Sequence, residues 1–279
     1  MDFSEFPQRS LVLGFDGIEP DENFLKIISD CRLFGIIFFA RNFQKIYDIT
    51  KAIELFHSID NELEFLIDQE GGEKCRIVQT PYCPPEPWSM RDWQPRKICK
   101  AFKSSAEALA ELGITINLAP VADLGTGDYI RKRTFGKSPQ QVAERVASAV
   151  KGILAGGSKP CAKHFPGLGS AHLDPHIALP VTDTSLAEFQ INHWLPFKSA
   201  IEAGCPYIMT THLLASSLDP NNCATYSSAV VKRLRNIGFT GKILSDDLAE
   251  MKGASEIPTG ERIQKALDAG HNIALWCKT

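Results

Sequence analysis

Eight short apolar runs, each the length of a β-strand, recur along the 279 residues with helix-like segments between them. They are Leu11 to Phe15, Gly35 to Phe39, Leu63 to Asp68, Ile114 to Ala119, Ser158 to Lys163, Tyr207 to Thr211, Lys242 to Asp246 and Ile273 to Trp276. Most are continuously apolar rather than alternating, which is the pattern of strands buried on both faces. In the gaps the period changes. Ile46, Ile49, Ile53 and Phe56 share one helical face, and so do Val142, Val146, Val150 and Ile153. Ser138, Pro139 and Gln141 read as an N-cap, a first-turn proline and a capping-box partner. Ser185 with Glu188 repeats the device, and Asn236 and Gly238 mark the end of a helix begun near Ser227.

Strand and helix alternating to eight strands predict an α/β fold, a (β/α)8 TIM-type barrel. A doubly wound open sheet is the alternative, but the turn Gly14-Phe15-Asp16-Gly17 does not match the dinucleotide fingerprint. No domain boundary is visible, so residues 1–279 are expected to form a single barrel domain, with 82–95 as an ordered long loop. The sequence stops at Cys277-Lys278-Thr279, directly after the eighth strand. The barrel is therefore expected to lack a C-terminal eighth helix, and its last strand the usual outer cover. A shortened chain, a partner chain or a rearranged N-terminal segment would account for this.

Composition narrows the class. A chain 44% hydrophobic and 23% charged can bury a large core. A net charge of −3 argues against a nucleic-acid partner, which calls for a basic stripe. No apolar run approaches the roughly 20 residues needed to cross a membrane, and the acidic start Met1-Asp2-Phe3-Ser4-Glu5 is unlike a signal peptide. The eight cysteines are scattered without a Cys-x-x-Cys pair, so neither a metal nor a disulfide framework is expected. Reduced thiols in the cytoplasm are the simplest reading.

In such barrels chemistry gathers at the C-terminal ends of the strands. The fifth run ends in Lys163-His164-Phe165-Pro166-Gly167-Leu168-Gly169, followed by Asp174-Pro175-His176. Strand-end cations beside a loop His and Asp fit a polar site with acid/base capacity, though they also fit a tight turn with solvated side chains. Other strand ends supply Arg41-Asn42, Asp68-Gln69-Glu70-Gly71-Gly72 with Arg76 beyond, Asp123, Arg133, Thr210-Thr211-His212 and Ser245-Asp246-Asp247-Leu248. There is no nucleophile elbow, phosphate loop or evident metal cluster. Carboxylates beside hydroxyl-binding side chains suit a sugar: one Asp can attack an anomeric carbon while a second group protonates the leaving oxygen.

These segments, in this order, resemble the N-terminal barrel domain of glycoside hydrolase family 3. Within it they are most similar to the bacterial β-N-acetylglucosaminidases of cell-wall recycling. The resemblance rests on the run from Gly35 to Phe43, Asp68-Gln69-Glu70-Gly71-Gly72, Leu118-Ala119-Pro120-Val121-Ala122-Asp123-Leu124, Arg133-Thr134-Phe135-Gly136, the run from Lys163 to Gly169, Asp174-Pro175-His176 and Ser245-Asp246-Asp247-Leu248. It implies Asp246 as nucleophile, His176 paired with Asp174 as general acid/base, and Asp68, Arg76, Arg133, Lys163 and His164 as the pocket for a terminal N-acetylglucosamine. His212 falls near that pocket by position. No cofactor or metal is implied, and the partner is a small carbohydrate, with no nucleic acid or membrane and a monomer or weak oligomer expected.

The chain departs from the family's usual pattern at Leu168, Glu73, Pro175 and Asn272. Asp247 is expected to cap a turn, Arg41 and Asn42 to close the top of the barrel, His57 and His193 to be surface or boundary residues, and His172 to be a loop bystander. Two other readings stay open: a non-catalytic N-acetylglucosamine-binding protein, and a Schiff-base lyase using Lys163 as the amine.

Overall fold

The computed structural model describes every residue except Met1, His172, Gly253, Ala254, Glu256 and Thr279, so the reading of His172 lies outside the described residues. Eight parallel strands close a barrel: β1 (Leu11–Gly14), β2 (Gly35–Phe38), β3 (Glu64–Ile67), β4 (Ile116–Asn117), β5 (Lys159–Phe165), β6 (Tyr207–Thr210), β7 (Lys242–Asp247) and β8 (Ile273–Trp276). Each lies beside its neighbours in sequence, and β1 closes the ring on β8 with Leu11 opposite Ala274 and Leu13 opposite Trp276. Helices Glu22–Cys31, Ile46–Ile59, Pro95–Glu111, Pro139–Ala155, Leu195–Glu202, Ser228–Asn236 and Arg262–Asp268 follow β1 to β7 in turn.

The strands read as apolar throughout because both of their faces are buried. Val12, Ile37, Leu66, Met209, Leu244 and Leu275 belong to one cluster, the filling of the barrel. Their neighbours Leu13, Ile36, Phe38, Phe65 and Ile67 pack outward on Phe24, Ile28, Ile49 and Phe56 of the helices. The period of two is therefore present but joins two apolar layers. Phe56 is wholly buried at the centre of the outer layer, edge-on to Phe15 and Phe24. Removing a ring in such a place costs roughly 3–5 kcal/mol.

Local signals set most element ends. Ser185 and Ser227 cap their helices through side-chain oxygens that accept from Glu188 N and Val230 N, both at 3.2 Å. Gly238, at φ +101°, lies just past the helix that ends at Asn236. Ser138 does stand at an N-cap, but its hydroxyl donates to Gln140 Oε1 at 3.4 Å instead of accepting a first-turn backbone N–H, so the expected capping box does not form. β4 is shorter than its apolar run, although Thr115 N and Leu118 N still donate to Phe65 O and Ile67 O of β3. β5 runs longer, to Phe165, which puts Lys163 and His164 inside the strand.

Two expectations are corrected. The outer face of β8 is covered: Trp276 packs edge-on against Phe3 of the turn Phe3–Glu5, with ring centroids 6.4 Å apart. Nor are all thiols free. Cys75 and Cys83 are disulfide-bonded across Cα atoms 5.8 Å apart, within the loop that follows β3. Spacing hid this pair because a return of the loop, rather than a short motif, brings the two together. Among the described residues no helix is long and apolar enough to cross a membrane.

Candidate active site

A cavity opens at the C-terminal end of the barrel. Asp68, Glu70, Arg133, Lys163, His176 and Asp246 are among its lining residues, as are Arg76 and His164. One wall is a lattice of ion pairs. Lys163 Nζ, nearly inaccessible within β5, lies 2.6 Å from both Asp68 Oδ1 and Glu70 Oε1. Arg76 Nη2 donates to Asp68 Oδ2 at 2.7 Å. Arg133 donates twice to Glu70, from Nε and Nη2, each at 2.8 Å. This fork geometry is rigid and directional.

The charges are settled by these contacts. Burial alone would raise the carboxyl of Asp68, but Lys163 and Arg76 outweigh it and hold Asp68 well below the usual carboxylate range. Burial opposes ionisation of Glu70 too, and Arg133 and Lys163 bring it down to about 2. For Lys163, burial works against the ammonium, yet Asp68 and Glu70 raise its pKa above the ordinary lysine value. Arg76 Nε is buried without a hydrogen-bond partner among the described residues, beside Asp68.

His164 is aimed by a strand-end residue to which the sequence alone assigned no role. Asp123 Oδ2 accepts from both the ring Nδ1 (2.7 Å) and the backbone N (3.1 Å) of His164, while Oδ1 accepts from Leu168 N. With the proton on Nδ1, Nε2 accepts from Arg133 Nη2 at 3.1 Å. Asp123 thus sets the tautomer and pins the start of the Phe165-Pro166-Gly167 loop. Gly167 sits at φ +129°, where a Cβ would come within 2.9 Å of the His193 Cβ. His193 is therefore a buried support beneath this loop, not a surface residue, whereas His57 is exposed as expected.

The loop after β5 brings Asp174 and His176 to the rim. Asp174 Oδ1 accepts from His176 N at 2.9 Å and pairs with ring Nδ1 at 2.7 Å. Burial of Asp174 is outweighed by these bonds, and its pKa is lowered. Nδ1 being engaged, Nε2 is the nitrogen left for chemistry. Pro175 is buried in this turn, which holds Asp and His two residues apart.

Five carboxylates line the cavity, and their partners separate them. Asp68 and Glu70 are each held by two cations. Glu250 pairs with Lys278. Asp247 accepts backbone N–H groups of Ala249, Glu250 and Cys277, which is a capping role. Asp246 accepts only the N–H of Asp247, at 2.9 Å, and is in no ion pair among the described residues. It is the carboxylate with lone pairs left to offer.

His212 is not among the lining residues. It is wholly buried behind β7, where Nε2 donates to Asp247 O (2.8 Å) and Nδ1 accepts from Thr225 Oγ1 (2.9 Å). Burial lowers its pKa, so it is a neutral prop for the Asp247 carbonyl, next to Asp246, rather than a sugar ligand. Arg41 both lines the cavity and ties the top of the barrel, donating to Phe15 O and pairing with Asp16. Glu70, Asp123 and Tyr129 are the site residues that sequence reading left unassigned. The first two stood in the quoted motifs, while Tyr129 carried no local signal.

The model of the glycosyl hydrolase family 3 N-terminal domain matches residues 9–279. A β-hexosaminidase of Neisseria meningitidis is 31% identical over 256 residues, covering 87% of this chain and 71% of its own. A solved family 3 β-N-acetylglucosaminidase from a Paenibacillus species aligns with a TM-score of 0.92 at 29% identity. That alignment covers 97% of this chain and 54% of the other, so this chain spans about half of that enzyme. NagZ from Neisseria gonorrhoeae, solved in complex with N-trifluoroacetyl-D-glucosamine, aligns with a TM-score of 0.88 at 30% identity, covering 98% and 82% of the two chains.

Proposed function

Since this chain belongs to glycosyl hydrolase family 3, matching its N-terminal domain, we propose that it is a retaining exo-β-N-acetylglucosaminidase acting on peptidoglycan fragments. Membership makes it a glycoside hydrolase. The proposal adds the substrate and the roles of the residues.

In this reading the terminal N-acetylglucosamine enters the cavity and hydrogen-bonds to Asp68, Arg76, Arg133, Lys163 and His164. Asp246 attacks the anomeric carbon as protonated His176 gives its Nε2 proton to the leaving oxygen. The glycosidic C–O bond breaks and a glycosyl ester of Asp246 forms. Neutral His176 then takes a proton from water. That water attacks the same carbon and releases Asp246, so the configuration is retained. Asp174 holds the imidazole and balances its charge when protonated. Residues 1–279 act as one barrel domain, monomeric or weakly associated, on a carbohydrate and on neither nucleic acid nor membrane. Cytoplasmic residence completes the proposal, although the Cys75–Cys83 bond favours an oxidising compartment.

One observation carries this reading: Asp246, the lining carboxylate without an ion pair, shares a cavity with the His176–Asp174 pair and with a wall of fixed polar groups. The lyase alternative fails on the same geometry, because Lys163 is held protonated between two carboxylates and offers no free amine. The test is p-nitrophenol release from its β-N-acetylglucosaminide, with the product followed by NMR during the first turnovers. The β-anomer should appear first. Initial α-anomer would rule out retention, and sugar binding without turnover by folded protein would point to a binding protein.

A further inference from the structure

The acid/base pair stands on an exposed turn: the His176 side chain is 60% accessible, and that of Asp174 25%. Among the described residues the hydrogen bonds of the 174–178 turn run within the turn itself, with one exception. That exception is Tyr129, from the long loop after β4. Its hydroxyl lies 3.5 Å from His176 Nδ1 and is an electrostatic neighbour of the Asp174 carboxylate. The same oxygen accepts from Arg133 Nη1 at 3.2 Å. A phenol has one proton and two lone pairs, so it can accept from the guanidinium and donate to the carboxylate together. The other end of the ring is anchored, packing with Val121, Ile130 and Leu168. Leu168 itself is tied through its N–H to Asp123.

We propose that Tyr129 is a positioning residue for proton transfer, linking the sugar-binding wall at Arg133 to the Asp174–His176 pair and holding that pair over the cavity. The inference rests on the glycosidase reading above. Arg133 is immobilised by its fork to Glu70, so Tyr129 gives the turn a fixed point through its one hydrogen bond outside the turn among the described residues. Burial keeps the phenol protonated, which preserves its donor. An exposed imidazole without this tether would spend time away from the leaving oxygen, and misplacement of about 1 Å can cost roughly 10²-fold in rate.

The test is Tyr129→Phe, which keeps the ring packing and removes only the hydroxyl. With a β-N-acetylglucosaminyl disaccharide, whose leaving group needs protonation, kcat should fall about 10-fold with KM within about twofold. With a dinitrophenyl aglycone, which leaves without an acid, the fall should be smaller. In a His176→Ala background, Tyr129→Phe should have almost no further effect, because its role runs through the imidazole. An unchanged kcat in Tyr129→Phe, or an equal loss in both backgrounds, would overturn the inference while leaving the glycosidase reading intact. Full turnover by His176→Ala would overturn the acid/base assignment, and the inference with it.

Discussion

Glu70 grips Arg133 by two parallel hydrogen bonds, each 2.8 Å, while its Oε1 also takes Lys163 at 2.6 Å. The Glu70 side chain is only 2% accessible. Two cations from distant parts of the chain thus converge on one buried carboxylate, with Asp68 also pairing Lys163. Glu70→Gln keeps the shape and removes the charge. Uncompensated buried charge costs about 3–5 kcal/mol, so the urea midpoint should drop sharply and KM should rise as Arg133 and Lys163 relax. A stable variant with unchanged KM would show that the lattice is ornamental.

Asp246→Asn tests the proposed nucleophile. The amide fits the same space and still accepts the Asp247 N–H. Turnover of the aryl glycoside should fall by about three orders of magnitude or more, with little change in melting temperature. A fluorinated aryl glycoside that forms the intermediate faster than it decays should add one sugar mass to the parent on Asp246. Label on another residue would reassign the nucleophile.

Stability should fall on acidification in two adjoining windows that overlap near pH 4. His271 is buried, accepting from Thr210 Oγ1 at Nε2 and donating to Ala266 O from Nδ1, and burial lowers its pKa from 6.5 to about 4. The unfolded chain therefore binds this proton first, and stability is lost as pH falls from about 6.5 to about 4. Glu70 stays ionised in the folded state down to about 2, against 4.5 when unfolded, so its contribution is lost between those values. Each window is worth on the order of 3 kcal/mol. Urea unfolding across pH 7 to 2 should show both falls, and His271→Asn should shrink the upper one, to which buried His212 and His193 also contribute, while leaving the lower one in place. A flat profile above pH 4.5 in the parent would contradict the burial of neutral His271.

The Cys75–Cys83 bond closes the loop that carries Arg76, which donates to Asp68. Alkylation of the denatured, unreduced protein should label six of the eight cysteines, and all eight after reduction. Reduction should raise KM more than it lowers kcat, because Arg76 lies on the proposed binding wall and not at Asp246. Eight labelled thiols before reduction would remove the staple from the account.

The barrel strands were legible as short apolar runs because each is buried on two faces, and their order followed from right-handed strand–helix–strand connections between neighbours. Pro and Ser signals marked helix starts, though the hydroxyl of Ser138 turns away from its expected bond. Motifs at the strand ends named Asp68, Arg133, Lys163, His176 and Asp246, because chain polarity in such a barrel sends those ends to one face. Which side chain answers which was not written locally. Lys163 meets Asp68 across 95 residues, His164 meets Asp123 across 41, and Tyr129 meets His176 across 47. His212 shared a strand-end position with true lining residues, and only packing turned it inward against Asp247 O and Thr225. Periodicity and polarity are properties of the chain alone, so the sequence determined the barrel and the end at which chemistry collects. Partnership, burial and hence charge state depend on closure of the ring, which sets distances between residues that are remote along the chain, so those were decided by the tertiary structure.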